Sequence, residues 1–400
     1  MGERRLKPGN YLLATIITYA TVPLSGFATD IYLPSMPRMA GELHTSDASI
    51  QLTLSIYLIC YGVTQIIAGL FLDAGGRYKI ALTSLLVFCF SCIITAITHS
   101  LAMIYLMRVI QGVSTSFIIV AARIFFVDVY EGPKRKGYLS SMTIVWSVGP
   151  IVAPFVGGYL EHLFGWRSNF YVLAAYSFLL FLVQMIFSGE TIKSRIQLNL
   201  QSIANSYRTV MSAKDFVSGL LMLGVSYAMI MVFSLCGPFI IEHRMGFSPV
   251  VAGYTALVLG FAWMCGGLFG RRLIARDFSV KNKYALTIQL LLIVAMVSTV
   301  GVLNNIWTLV GFAFTIHVTA GFVFNNYFTY CLSRFPELAG VAGGLTGGLA
   351  YTFTAIAAYG IVALIKPETQ SAVALSYLIV SMFGAIVLWF SQKIPLPRKG

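Results

Sequence analysis

The sequence predicts an all-α membrane protein whose twelve transmembrane helices form two pseudo-symmetric bundles of six. The first observation is the composition, since 58% of the 400 residues are hydrophobic and 10% are charged. The mean hydropathy of +0.82 is too high for an ordinary soluble domain. The second is a series of apolar runs of about 20 residues or more, each long enough to cross about 30 Å of hydrocarbon. The third is a weak internal repeat that divides the chain into halves.

The apolar runs follow one another through short connections, with one longer polar segment after the sixth. They span residues 12–36, 48–73, 79–98, 101–127, 138–162, 168–188, 215–241, 249–270, 284–303, 305–333, 340–365 and 370–391. We interpret residues 189–214 as a cytoplasmic linker between an N-terminal bundle at 1–188 and a C-terminal bundle at 215–400. Gly69-Leu70-Phe71 and Gly267-Leu268-Phe269 resemble each other at the ends of the second and eighth runs, as expected for two parallel six-helix repeats.

The basic residues lie mainly on one side of the predicted membrane. The net charge is +13, and 21 of the 27 lysines and arginines fall at the chain ends or on alternate connections between runs. An excess of Lys and Arg marks the cytoplasmic face, so both termini are predicted to be cytoplasmic. Because this charge is spread along one membrane face and belongs to no recognition motif, it argues against a nucleic-acid-binding protein.

Two ionisable residues lie inside predicted helices at matching depths. Asp30 is near the end of the first run, where Pro34 and Pro37 are expected to end the helix, and Arg108 is seven residues into the fourth run. At 1.5 Å per residue, both lie about 10 Å from the outer end. A cation at this depth is costly without a partner, so we predict that Arg108 pairs with Asp30. The alternative is an Asp30 that is simply exposed to an outer vestibule.

Polar and aromatic side chains on the helices are candidates for a substrate cavity. In the second run, Tyr57, Tyr61 and Gln65 recur every four residues and therefore share one helix face. The cavity candidates are Tyr57, Tyr61, Gln65, Gln111, Tyr227, Met231, Trp263, Asn325 and Asn326. Ordinary core packing is the alternative for each of them. For the lone His317 in the tenth run, a packed neutral imidazole is favoured over a proton carrier.

Several short motifs match those of a known family. They are Asp30 to Pro34 closing the first run; Gly69, Asp73, Gly76 and Arg77 after the second; Arg108, Gln111 and Gly112 in the fourth, with Arg123 and Asp128 at its end; and Gly149, Pro150, Gly157 and Gly158 in the fifth. On these motifs the chain resembles the major facilitator superfamily, specifically the Bcr/CflA type of twelve-helix drug:proton antiporter. The sequence departs from that pattern at Ala74, where a basic residue is usual.

The resemblance implies a proton-coupled antiporter that exports small amphipathic molecules by alternating access. Asp30 and Arg108 would then carry the proton coupling, while the fifth-run motif Gly149, Pro150, Gly157 and Gly158 favours export. The motifs of the second and fourth runs would form a conformational latch against the start of the eleventh helix at 340–344. The latch residues are Gly69, Asp73, Gly76, Arg77, Arg123 and Asp128. A dedicated exporter or an importer of a specific metabolite, such as a siderophore, is the alternative.

The sequence offers little support for an enzyme. It contains no HExxH, GxSxG or GxxxxGK motif, so metal hydrolysis, acyl transfer and ATP-driven pumping lack their usual residues. The six cysteines all fall within apolar runs, where we interpret them as small packing residues. We therefore predict no catalytic residues, metal or cofactor. The expected partners are a small amphipathic substrate, protons and the lipid bilayer. The protein is predicted to be a multi-pass monomer in a bacterial inner membrane.

Overall fold

The computed structural model describes residues 5–192, 200–299 and 305–392, except the side chains of residues 136, 140, 143, 144, 200, 202 and 392. Nearly all of these residues are helical, and within the described ranges the only strand-like pairing is an isolated bridge between Arg5 and Glu190. Residues 193–199 of the predicted linker and 300–303 of the predicted ninth run lie outside the described residues. The chain divides into two compact units, Met1–Asn199 and Leu200–Gly400.

The described residues of unit 1 form eight α-helices and two short 3₁₀ turns. The helices are α1 Tyr11–Thr21, α2 Leu24–Asp30, α3 Met36–Glu42, α4 Asp47–Gly75, α5 Arg77–Ile97, α6 Leu101–Val129, α7 Gly132–Phe164 and α8 Arg167–Phe187, and the 3₁₀ turns are Pro8–Asn10 and Leu33–Ser35. Ser46 and Ser100 cap α4 and α6 by accepting a hydrogen bond from a backbone N–H three residues on, as Ser commonly does at a helix start.

Unit 2 contains the remaining helices. They are α9 Leu200–Ser212, α10 Lys214–Phe239, α11 Pro249–Arg272, α12 Phe278–Thr299, α13 Ile306–Arg334, α14 Ala339–Ile365 and α15 Gln370–Gln392. A π-helical turn, Ile240–Arg244, extends α10, and Asn305 and Thr308 form a reciprocal capping box at the start of α13. The helix α9 lies in the segment that we predicted only as a polar linker.

The first membrane segment is broken into pieces, which corrects the prediction of one helix over 12–36 that ends at Pro34 and Pro37. Pro23 has no N–H to donate, and the chain breaks between α1 and α2 at that point. Pro34 and Pro37 are the second residues of a 3₁₀ turn and of α3, where the backbone N–H has no partner within the helix and its loss costs little. These prolines therefore start short helices, and the segment continues to Glu42.

Eleven segments of the described chain are long and apolar enough to cross a membrane. They correspond to eleven of the twelve predicted runs, with the pieces from Pro8 to Glu42 counted as one segment. The predicted fifth run forms α7, which has 33 residues and is long enough to span. It is not counted among the eleven, since the side chains of residues 136, 140, 143 and 144 lie outside the described part of the chain.

Glycines allow the helices of each unit to approach closely. In unit 1, a Cβ at Gly112 of α6 would lie 2.6 Å from the carbonyl oxygen of Tyr57 in α4. In unit 2, a Cβ at Gly266 of α11 would lie 2.2 Å from the carbonyl oxygen of Val318 in α13. Small residues at such crossings are the usual means of helix association in membranes, since lipid provides no hydrophobic driving force between helices.

Candidate coupling and latch sites

The carboxyl group of Asp30 is buried at the end of α2. The residue is 4% exposed, and its Oδ2 atom has no hydrogen-bond partner among the described residues. Gly26 lies one turn earlier and so on the same face. A Cβ at Gly26 would lie 2.6 Å from Cδ of Pro150 and 2.8 Å from Cα of Gly149. Asp30 therefore lies on the side of α2 that packs against α7.

The guanidinium group of Arg108 is fully buried in α6 and bound by neutral groups. Its Nη1 donates to the carbonyl oxygen of Ala28 at 3.2 Å and to Oε1 of Gln111 at 2.9 Å. Its central carbon lies 3.8 Å from the centroid of the Tyr32 ring, a cation–π arrangement. Nε and Nη2 have no partner within the described part of the chain.

The ion pair predicted between Asp30 and Arg108 is not formed in this structure, in which the Arg108 guanidinium donates to a backbone carbonyl and an amide instead. The reason is the orientation of α2. Ala28 and Tyr32, one turn apart, both contact Arg108. Asp30 is two residues from each, which places it on the opposite side of the chain. Matching depth along two helices does not specify which side of each helix faces the other.

Gln111 connects Arg108 to α5 through hydrogen bonds. Its Oε1 accepts from Arg108, and its Nε2 donates to Oγ1 of Thr95 at 3.2 Å and to Sγ of Cys92 at 3.6 Å on α5. The side chain is fully buried. These bonds use both ends of the amide to hold α6 against α5 and to fix the position of Arg108.

The aromatic stripe predicted on the second run lies in the interior of unit 1. The rings of Tyr57 and Tyr61 are stacked with centroids 5.9 Å apart, and the Tyr57 hydroxyl donates to the carbonyl oxygen of Ser25 at 3.4 Å. Tyr57, Tyr61 and Gln65 are all buried. This face of α4 therefore packs towards α2 and α6, and a contact of these residues with substrate stays a prediction.

The cavity candidates of unit 2 form an aromatic cluster with two hydrogen-bonded amides beside it. The rings of Tyr227 and Trp263 lie 5.8 Å apart, and Met231 is buried one turn from Tyr227 on α10. Asn325 donates to the carbonyl oxygen of Gly321 at 2.9 Å, and Asn326 donates to Oδ1 of Asn282 at 3.2 Å. Both amides thus have partners within unit 2.

The fifth-run motif makes the contact between α7 and α2. A Cβ at Gly149 would lie 2.9 Å from Cα of Gly26, and a Cβ at Gly157 would lie 1.6 Å from the carbonyl oxygen of Ile31. Pro150 lies against Gly26 in the same contact, and Gly158 is buried next to Gly157. No side chain larger than hydrogen fits at Gly157, so this motif sets how closely α7 approaches the segment that carries Asp30.

Three charged residues of the predicted latch meet at one end of unit 1. Nη2 of Arg77 lies 2.9 Å from Oδ1 of Asp73, and Nη1 of Arg77 pairs with Oδ2 of Asp128. Gly76 adopts a positive φ of 97° in the turn between α4 and α5, a conformation that favours glycine. Asp128 thus pairs with Arg77, whereas Arg123, the other latch residue of α6, lies half-buried. At Gly69 an added Cβ would meet no atom within 4 Å.

Glu190 completes this cluster and was missed by the sequence analysis. Its carboxylate accepts from the backbone N–H groups of Arg77 and Tyr78, at 3.2 and 3.1 Å, and so caps the start of α5. The neighbouring Thr191 donates to Oδ2 of Asp128 at 2.6 Å. A carboxylate is favourable at the positive end of a helix. Glu190 is an isolated acidic residue in a basic segment, which the sequence analysis could have noticed. The sequence gives no indication of the groups that it contacts.

A second charged cluster, also missed, lies at the opposite end of unit 1. Glu42 accepts from Nε of Arg38 at 3.0 Å, from Nη1 of Arg167 at 2.7 Å and from Nε1 of Trp166 at 2.9 Å. Nη1 of Arg38 also lies 3.4 Å from Oε1 of Glu161, which is fully buried. These contacts tie α3 to α7 and α8.

His317 is buried in unit 2 against another helix. Its Nε2 lies 3.1 Å from the hydroxyl of Tyr377 on α15, and the ring packs edge-on against Phe233. His317 is therefore packed in the interior, as favoured in the sequence analysis over the role of a proton carrier. Among the described residues, no group of three or more His, Cys, Asp or Glu side chains is arranged to hold a metal ion.

Apolar helices of membrane length, arranged in two compact units with buried ionisable groups inside unit 1, define a multi-pass membrane transport protein. The sequence matches the Major Facilitator Superfamily over residues 19–359, and the chain belongs to that family. It is 28% identical over 352 residues to multidrug resistance protein D of Escherichia coli, covering 86% of each chain. It is 24% identical to the bicyclomycin resistance protein homolog of Haemophilus influenzae, covering 87% of this chain and 88% of the relative.

The fold is shared with more distant solved structures. The crystal structure of a D-xylose-proton symporter superposes with a TM-score of 0.75 over 96% of this chain and 98% of that one, at 12% sequence identity. The predicted fold class and the resemblance to the Bcr/CflA type are therefore confirmed. The chain is a transporter of small molecules set in a membrane. The cytoplasmic location of the termini stays a prediction.

Proposed function

We propose that this protein is a proton-coupled antiporter that exports small amphipathic molecules across the cytoplasmic membrane of a bacterium. The observation that carries the proposal is Asp30, a buried carboxyl group whose Oδ2 has no partner among the described residues. An isolated carboxylate is costly to bury, so a carboxyl group in this place binds a proton unless a counter-charge or a ligand approaches it.

The geometry around Asp30 suits alternate binding of a proton and a substrate. In the α2–α7 contact, Gly26, Gly149 and Gly157 lie against backbone and the Pro150 ring, so the contact at these glycines involves no long side chain. A helix pair of this kind shifts without repacking large residues. Binding of substrate or loss of the proton at Asp30 would then alter the contact between α2 and α7 and link occupancy to conformation.

Arg108 has a separate role in this scheme. Two of its donor groups, Nε and Nη2, are buried without a partner in the described structure, so the guanidinium is able to receive a carboxylate. We propose that it receives deprotonated Asp30 during the cycle, after a rotation of the α2 segment. The names of the relatives above, multidrug resistance protein D and a bicyclomycin resistance protein homolog, support export of drug-like molecules. We propose further that the protein acts as a monomer in the inner membrane.

The test is transport in everted membrane vesicles with an imposed proton gradient. We expect wild-type protein to accumulate amphipathic dyes such as ethidium, and we expect Asp30→Asn to abolish this accumulation while it leaves insertion unchanged. Asp277→Asn is the matched control, because Asp277 is exposed and caps α12 through Val280, a role that Asn fills equally well. Gradient-driven accumulation by Asp30→Asn at the wild-type rate would contradict the proposal. Proton-driven accumulation of the dye in right-side-out vesicles instead of everted ones would indicate import.

A further inference from the structure

Glu161 is a second buried carboxyl group in unit 1. Its side chain is fully buried although it lies only three residues before the end of α7. Its Oε1 lies 3.4 Å from Nη1 of Arg38, whose own side chain is 53% exposed. Its Oε2 has no hydrogen-bond partner within the described ranges. A single contact of this length to a solvated cation compensates little for the burial of a carboxylate.

The surroundings of Glu161 form a small polar cluster contributed by three elements. The Ser35 side chain lies against the Glu161 carboxyl group. The Ser35 hydroxyl accepts a hydrogen bond of 2.7 Å from Nδ2 of Asn169 on α8, so its own proton is free to be donated to Glu161. Oδ1 of Asn169 is buried and also has no partner among the described residues. Polar atoms of this kind are usually satisfied by water.

This cluster leads from the surface of unit 1 towards Asp30. Gly157, one turn before Glu161 on α7, touches the carbonyl oxygen of Ile31, the neighbour of Asp30. One turn corresponds to about 6 Å along the helix. Ser35 lies in the 3₁₀ turn that directly follows the Asp30 segment. On the other side of Glu161, Arg38 reaches solvent.

We propose that Glu161 is a second proton-binding group, through which Asp30 exchanges protons with the solution at the end of unit 1 that holds Glu42. This inference rests on the proposed proton-coupled function. The proton passes from solution to the Glu161 carboxylate, and from there through the Ser35 hydroxyl and water held at the buried Oδ1 of Asn169 to the Asp30 carboxylate. Each step is a proton transfer between oxygen atoms, and no other bond is made or broken.

The neighbouring charges allow Glu161 to exist in both protonation states. The charged groups that act on it are Arg38 and Glu42, both on α3, and Arg167 of α8 pairs with Glu42. Arg38 lies closer to Glu42, at 3.0 Å, than to Glu161. Protonation of Glu161 therefore leaves Arg38 with a partner and partly in solvent, so the cation does not force Glu161 to remain ionised.

A simple tether between α7 and α3 is the competing role, and infrared difference spectroscopy separates the two. We propose a pH titration of the carboxylic acid C=O band in reconstituted wild-type protein, Glu161→Gln and Glu42→Gln. Glutamine keeps a carbonyl acceptor for Arg38 and Ser35. Glu42→Gln removes the same charge from the same arginine at an exposed position. We expect one titrating acid band to be missing from Glu161→Gln and present in Glu42→Gln. Identical bands in all three proteins would show that Glu161 stays ionised and would overturn the proposal.

Transport in proteoliposomes tests the relay itself. With ethidium as the probe, we expect Glu161→Gln to slow proton-driven transport by roughly tenfold or more, as for loss of a proton-transferring group. Exchange of labelled for unlabelled ethidium needs no net proton movement and should proceed at the wild-type rate. Wild-type rates for both processes in Glu161→Gln would overturn the relay. Wild-type vesicles that show no proton-driven transport, combined with a missing infrared band, would contradict the proposed function and not the proton site.

Discussion

Arg108 shows how one side chain inside the membrane is stabilised without an ion pair. The guanidinium is held by a backbone carbonyl, an amide oxygen and the face of Tyr32, and the centroid of the Phe170 ring lies 5.0 Å from its central carbon. Hydrogen bonds to a charged group contribute about 1.5–3 kcal/mol each, and a buried cation–π contact contributes about 2 kcal/mol. This arrangement leaves Asp30 free of Arg108, which a proton-binding group requires.

We predict that Arg108→Lys lowers both the melting temperature and the rate of transport. Lysine keeps the charge but lacks the planar guanidinium that lies over the Tyr32 ring while its Nη1 donates to Ala28 and Gln111. Loss of even one such bond, about 1.5–3 kcal/mol, is expected to lower the melting temperature by several degrees, measured by tryptophan fluorescence. Arg276→Lys, at an exposed position, is the control. A melting curve of Arg108→Lys that coincides with that of Arg276→Lys would show that the planar guanidinium group of Arg108 does not stabilise the protein.

At the scale of whole helices, α7 and the broken first segment pack closely against each other. The breaks at Pro23 and after Asp30 leave α2 with only seven residues, so its position depends on its neighbours more than on its own helix stability. The glycine face of α7 provides that contact. The motif that suggested export therefore also has a direct packing role beside the candidate proton site.

We predict that Gly157→Ala prevents normal folding or strongly reduces transport. The added methyl group would lie 1.6 Å from the carbonyl oxygen of Ile31. Because that atom belongs to the backbone, the two helices must separate, and overpacking of this kind costs about 1–3 kcal/mol or more. The measurement is the yield of monodisperse protein by size-exclusion chromatography, followed by ethidium transport.

Gly137→Ala is the matched control in the same helix, since a Cβ at Gly137 meets no atom within 4 Å. Replacing an exposed helical glycine by alanine is expected to stabilise α7 by up to about 1 kcal/mol. Equal yields and equal transport for the two alanine variants would show that the close contact at Gly157 is unnecessary.

At the scale of the whole molecule, the charged cluster of Asp73, Arg77, Asp128 and Glu190 connects four separate parts of unit 1. Arg77 bridges the ends of α4 and α6, and Glu190, which follows α8, caps α5. These bonds hold one end of the unit together. The role of the cluster as a latch against residues 340–344 stays a prediction. We also predict that this latch is weaker than in similar proteins, because Ala74 stands where a basic residue is usual.

We predict that Asp73→Asn shifts the protein towards the state that is open on the cytoplasmic side. A carboxylate at a helix terminus contributes about 0.3–1 kcal/mol when exposed and up to about 2 kcal/mol when partly buried. Its loss changes a two-state ratio by roughly two- to thirtyfold. Spin labels on the predicted cytoplasmic ends of α6 and α13, measured by double electron–electron resonance, report this ratio. Distance distributions that match those of the Asp277→Asn control at every pH would refute the latch.

The sequence alone determined the fold class, because the length and apolar character of a membrane helix are local properties that each run carries by itself. The motifs also led to the family, and helix depth singled out Asp30 and Arg108 as ionisable residues inside helices, where both are buried. The places where proline interrupts the first segment were only partly predictable, since Pro23, Pro34 and Pro37 look alike in sequence but occupy different positions relative to the breaks.

Only the tertiary structure decided which groups meet. Whether Asp30 faces Arg108 depends on the rotation of α2, and the structure turns it towards α7. Glu161 and Glu190 were overlooked because their partners, Arg38 and the start of α5, lie more than 100 residues away in the chain. Helix periodicity describes the faces of one helix, whereas the contacts of a buried charge depend on how several helices pack, and that information is not local in the sequence.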